Sequence, residues 1–207
     1  LIFLADSSME KMAELNNKLE VPFGSYMEQM IENEQDIREQ AVVTLGALLN
    51  EQANADRILM LPVLKAENGM PAVCEYEVLE KFNSKGRVDT QTAQIYYLLA
   101  GQLQQIDLHL EADEQVRLNR ISCRRDFIRT GNNVTQQLML TADAEQITGR
   151  ADEREVEQML YQKIEESLRS CHEKMEIDLS DSYRYLPMYA SEVYTLYENS
   201  QEEYNSN

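Results

Sequence analysis

In successive runs between residues 106 and 140 apolar side chains alternate with polar ones, and this alternation constrains the fold more than any other feature of the chain. Ile106, Leu108 and Leu110 alternate with polar residues, as in a half-buried strand. Val116 and Leu118 continue in one phase, whereas Ile121, Cys123 and Phe127 follow in the opposite one. A slip of one residue near Arg120 is the mark of a bulge within a single long strand. Val134, Leu138 and Leu140 form a further strand after Gly131-Asn-Asn133. Three consecutive antiparallel strands make a meander, which excludes an all-helical bundle.

The next segment changes period. From Ala151 to Cys171, Val156, Met159, Leu160, Ile164, Leu168 and Cys171 draw one stripe at i, i+3, i+4, i+7 spacing, opposite a face of Glu, Gln, Lys and Arg. This is a long amphipathic helix. A Tyr-rich stretch, Tyr183 to Tyr197, follows, with Pro187 expected near a helix start.

Upstream, Leu1-Ile-Phe-Leu-Ala5 reads as a core strand. A domain rarely begins on one, so preceding sequence is expected to have been removed. Ser7 with Glu10 has the spacing of a capping box, and Pro22 suits the first turn of a second helix carrying Phe23, Tyr26, Met27, Met30 and Ile31. Thr44 is placed to cap a helix holding Leu45, Leu48 and Leu49. Ile58–Leu64 is a buried strand with Pro62 at an edge or bulge, and Pro71–Phe82 is another. Asn68-Gly69 and Asn83-Ser-Lys-Gly86 read as turns, and Asp89 caps a helix so apolar around Ile95–Leu99 that it must be buried. The fold class is therefore α+β, with antiparallel strands, packed helices and one long amphipathic helix near the C-terminus. Two to three small mixed domains are expected: 1–70 the remainder of an N-terminal α/β domain, 71–148 with the antiparallel strands, and 149–207 helical.

The 207 residues hold 19 Lys and Arg against 37 Asp and Glu, a net charge of −18. Such a surface repels phosphate backbones and anionic lipid headgroups, so nucleic acid is not an expected partner. No apolar run approaches the length of a membrane helix, for Arg57-Ile-Leu-Met-Leu-Pro-Val-Leu64 is short and interrupted. Cys74, Cys123 and Cys171 lie far apart without zinc spacing and read as small buried hydrophobes.

Residues able to carry chemistry are few. His109 lies on the polar phase of a strand, and His172 ends the long helix, where the macrodipole favours a cation. Neither has a second ligand at metal spacing. Ser7-Ser8 lacks the glycines of a nucleophile elbow, and no glycine-rich phosphate cradle occurs. Arg117, Arg120, Arg124, Arg125 and Arg129 form the one basic cluster, with Arg117 and Arg125 able to share a strand face. They either pair with the chain's own carboxylates or dock an acidic partner. Asn133-Val-Thr135 matches a glycosylation acceptor of little weight. Tyr183, Tyr185, Tyr189 and Tyr194 pack internally or form a contact patch. No catalytic, cofactor-binding or metal-ligating residue is assigned.

The order of elements resembles the Ger(x)C family. The phrases that carry the likeness are the opening Leu1-Ile-Phe-Leu-Ala-Asp-Ser-Ser-Met-Glu-Lys-Met12, Pro22-Phe-Gly-Ser-Tyr26, Val43-Thr-Leu-Gly-Ala-Leu-Leu-Asn50, Leu61-Pro-Val-Leu64, the strand Ala72–Phe82, and Gly86-Arg-Val-Asp89 leading to Tyr97-Leu-Leu-Ala-Gly101. The sequence departs from the family in lacking its lipobox, the first part of its N-terminal domain and a final strand. The resemblance implies a lipoprotein C subunit of a spore germinant receptor. Such a protein is non-enzymatic and held by a lipid anchor, absent from this chain, on the outer face of the spore inner membrane. It works beside the integral-membrane A and B subunits, and it implies no cofactor. The alternatives are a solute-binding lipoprotein that captures a small ligand between domains, and a hydrolase whose catalytic residues lie in removed sequence.

Overall fold

A computed structural model describes residues 2–6, 11, 14, 22, 25, 43–53, 58–67, 70–109, 115–130, 133–149 and 152–197. The helices expected from Ser7 and Pro22 and the Asn68-Gly69 turn lie outside the described residues, but for isolated positions. The chain forms two compact units, Leu1–Gln94 and Ile95–Asn207. Met70 opens a strand hydrogen-bonded along its length to the strand before it, so residues on either side of position 70 share one sheet.

The first unit holds a sheet of order β1-β2-β3-β4: β1 (Leu4–Ala5), β2 (Ile58–Glu67), β3 (Met70–Glu80) and β4 (Asn83–Asp89). Strand β1 runs parallel to β2, with Leu4 opposite Val63, and the other neighbours are antiparallel. Met60, Leu61, Val63 and Leu64 are all buried. Neighbouring side chains point to opposite faces of a strand, so β2 is covered on both sides, as its unbroken apolar run requires. Pro62 sits beside a register shift between Val63 and Leu64, where the missing N–H is tolerated. Helix α1 (Leu45–Ala53) starts at Thr44, whose carbonyl accepts from the Leu48 amide at 2.9 Å. Leu45 and Leu49 are exposed.

The β3–β4 turn differs from expectation. Glu80 pairs with Asn83, leaving Lys81 and Phe82 as a two-residue loop with φ of 50° and 60°. Asn83-Ser-Lys-Gly86, read as the turn, is the start of β4. Asn, Ser and Gly are good turn formers, but the cross-strand register overrides them. Helix α2 (Thr90–Leu99) is capped by Asp89, whose Oδ1 accepts from the Thr92 amide at 2.7 Å.

The second unit holds the meander β5 (Gln105–His109), β6 (Gln115–Thr130) and β7 (Asn133–Thr148), in that order. Its register shifts between Asn119 and Ser122, and Arg120 there has φ of 51°. The bulge inverts the phase of β6. Val116 and Leu118 are buried before it, whereas Arg125 is buried and Ile121, Cys123 and Phe127 half-buried after it. Arg117 and Arg125, expected to share a face, therefore lie on opposite phases.

Helix α3 (Glu153–Met175) carries a full capping box, in which the Asp152 side chain accepts from the Glu155 amide and the Glu155 side chain from the Asp152 amide, both at 2.9 Å. It ends at Glu176, left-handed at φ 56°. Two short helices follow, α4 (Ser182–Tyr189) and α5 (Ser191–Tyr197). Pro187, expected near a helix start, lies inside α4. Lacking an N–H, it cannot donate to the Tyr183 carbonyl, a loss confined to one bond in a helix of about two turns.

Candidate functional site

Two features of the second unit stand out, a buried polar knot and an open cleft. The knot forms where β6 meets the loop after α3. Arg125, carried inward by the bulge, donates through Nη1 to the Ser180 carbonyl at 3.0 Å and through Nη2 to the Leu99 carbonyl. Asp178 gathers the loop, accepting from the Ser180 amide at 3.0 Å, the Ser180 hydroxyl at 2.6 Å, the Ser182 amide at 2.9 Å and the Ser182 hydroxyl. The Ser180 hydroxyl also lies 2.8 Å from Gln136 Oε1 on β7. Asp181, left-handed at φ 53°, is buried with Arg184 Nη1 at 3.4 Å. Burial pushes its carboxyl up to about 7, against the opposing pull of Arg184. Burial likewise holds the Tyr96 phenol well above its ordinary value, and the nearby Asp181 adds to the effect. Each donor here is aimed at the chain's own carbonyls and carboxylates. The knot positions structure.

The cleft, of about 650 Å³, lies between the first half of α3 and one face of the β6–β7 sheet. Val116 and Leu118 form its back and Val156 and Leu160 its helix wall. Register places Ala144 opposite Leu118 and Gln146 opposite Val116, so the β7 floor shares the buried face of β6. Ala142, Ala144 and Gln146 are nevertheless exposed. Glu153 and Glu157 stand on the helix rim, and among the described residues the lining includes no Lys, Arg or His.

The first unit contributes an ion-pair ribbon across its sheet. Arg87 donates to Asp6 at 2.7 Å and to Glu77 at 2.9 Å, and Lys65 lies 2.8 Å from Glu75. The Arg87 hydrogen bond holds the Asp6 carboxyl below its ordinary value, Lys65 does the same for Glu75, and Glu75 raises Lys65. Opposite charges neutralise one another here, mostly in contact with solvent.

The residues singled out from sequence scatter. Arg117 forks onto Asp107 at 2.7 and 2.8 Å, Arg120 meets Asp143, and Arg124 lies 3.7 Å from Asp126, so these three pair internally. Tyr183 is buried, its ring 5.7 Å from that of Tyr194. Tyr185 lies 6.5 Å from Tyr189, which is exposed. His172 is exposed in the last turn of α3, and His109 ends β5. Ser7 and Ser8 lie outside the described residues. Cys171 is buried, and partial burial raises the Cys123 thiol. Among the described residues no group of three or more His, Cys, Asp or Glu is set to hold a metal ion, and no helix is long and apolar enough to cross a membrane. Sequence reasoning missed the cleft; its only signal was a pair of alanines, Ala142 and Ala144, in strand phase.

No protein-family model matches the sequence, and no curated protein matches it. Among solved structures it is similar to the crystal structure of the GerBC protein, with a TM-score of 0.67 at 9% identity over 99% of this chain. The chain spans 63% of the length of that protein. The fold of this chain is Ger(x)C-like.

Proposed function

We propose that the chain is a non-enzymatic subunit of a spore germinant receptor, serving as scaffold or signal-transmitting partner of the integral-membrane A and B subunits. The observation that carries this reading is the GerBC-like fold over 99% of the chain, joined to the sequence phrases that resemble the Ger(x)C family. The polar groups agree with it. Arg125 binds backbone carbonyls and Arg117 a carboxylate of the same chain, and the buried Asp181 is packed within the knot rather than at the cleft. The resemblance adds a lipid anchor on the outer face of the spore inner membrane as the tether of the whole protein.

Deleting the gene tests the proposal. Spores should form in normal number but respond poorly to nutrient germinants, while germinating normally with a trigger that bypasses receptors. Unimpaired nutrient germination in a strain with no second copy of the gene would sink it.

A further inference from the structure

We propose that the cleft between α3 and β7 receives a basic, amphipathic polypeptide segment of a partner protein. This goes beyond the receptor reading and does not depend on it.

Three observations converge. The floor is the inner face of β7, yet Ala142, Ala144 and Gln146 are exposed, because the space above them is open. β7 is also the edge strand of its sheet. A floor from Ala142 to Gln146 is about 17 Å long at the ordinary rise per residue, a shape that suits a helix or extended segment better than a compact solute. Ala142 and Ala144 are small enough for another backbone to approach closely.

The walls decide what character the segment has. Val156, Leu160 and Leu140 offer apolar contact, so one side of the occupant is apolar. Among the described residues the lining has no cation to meet a carboxylate or phosphate. Its rim carries Glu153 and Glu157, one helical turn apart, and neither makes an ion pair among the described residues. Glu153 also serves the positive end of the helix dipole, but Glu157 lies past the first turn, where that effect has faded. Asp143, at the β7 lip, is already paired with Arg120. A cationic face is therefore the complement. The same charge argument disfavours this chain's own acidic segments, such as Glu198–Glu203, and a second copy carrying a net charge of −18.

Calorimetric titration of the full chain with a synthetic Leu/Lys amphipathic helix, and with a Ser/Lys peptide of equal charge, tests the proposal. The Leu/Lys peptide should bind about tenfold or more tightly than the Ser/Lys peptide. Ala144→Phe, which fills an exposed position, should lower that affinity about tenfold. Glu153→Gln with Glu157→Gln should lower it several-fold and flatten its salt dependence. Hydrogen exchange should slow along residues 142–146 on binding, a readout that holds even if one variant unfolds. Equal binding of both peptides, unchanged affinity in Ala144→Phe, or protection elsewhere would overturn the proposal. So would a neutral small solute that competes for the cleft.

Discussion

The guanidinium of Arg125 lies 3.9 Å from the ring centroid of Tyr185, stacked on an aromatic face that α4 presents to β6. The same group donates to the carbonyls of Ser180 and Leu99. One buried side chain thus joins the end of α2, the middle of β6, the loop after α3 and α4.

Removing it leaves two carbonyls without their donor and strips the cation from the ring. Arg125→Ala should cost about 3 kcal/mol or more, since buried unsatisfied groups and a lost charge-assisted network both count. Arg125→Lys should recover only part, because one ammonium cannot reproduce the planar fork. Urea unfolding of the three proteins measures the loss; an effect under about 1 kcal/mol for Arg125→Ala would contradict the structure.

The bulge at Arg120 stands in contrast. Arg120 is 85% exposed in its side chain and left-handed in its backbone. Arg120→Gly relieves a strain of about 1 kcal/mol while losing an exposed ion pair of similar size, so stability should change little. Deleting residue 120 should also be mild. It removes the extra residue and sets Val116, Leu118, Ile121, Cys123 and Arg125 in one unbroken alternation on the covered face, so the cost should stay below about 2 kcal/mol. Circular dichroism melts of both variants check this, and a loss above about 3 kcal/mol in either would contradict the register.

This bulge also marks where sequence was informative. Alternation between residues 106 and 140 revealed both the meander and the phase slip, because each strand has one covered face. The stripe on α3 and the cap at Asp89 were legible because helix periodicity and capping are local. The Lys81-Phe82 turn was not legible. Neither residue favours positive φ, and the register of β3 against β4 imposes it from outside. Arg125 reads as surface charge because arginine is rarely buried, although its place between Cys123 and Phe127 puts it on the covered phase. The cleft was hidden for another reason: it is made by what Ala142 and Ala144 lack.

The Lys81-Phe82 loop makes its own prediction. Both residues are left-handed, and the Phe82 side chain is exposed. A two-residue hairpin of this kind prefers Asn-Gly. Lys81→Asn with Phe82→Gly should stabilise the first unit by about 1 kcal/mol. Slower hydrogen exchange of β3 and β4 amides would register the gain, and faster exchange would show that the Phe82 ring contributes more than its exposure implies.

Asp181 predicts a pH dependence of unusual sign. Burial disfavours the charged form and pushes its carboxyl up to about 7 in the folded chain, from an ordinary value of 3.8. Between those values the folded chain holds a proton that the unfolded chain has lost. The associated stability is complete below about pH 4, declines as pH rises, and is gone above 7. At roughly 1.4 kcal/mol per unit, the full swing is on the order of a few kcal/mol, reduced by the Arg184 pair at 3.4 Å. Asp181→Asn cannot ionise, so it should match the parent near pH 3.5, pull ahead as pH rises, and exceed it by about 1–3 kcal/mol at pH 8. Asp6 and Glu75, whose carboxyls are lowered, act in the opposite sense, with stability lost as pH falls through their own acid range. They leave the interval from 5 to 8 to Asp181. Unfolding free energies from urea titrations at the two pH values check this, and a variant no more stable than the parent at pH 8 would mean that the buried carboxylate carries no net cost.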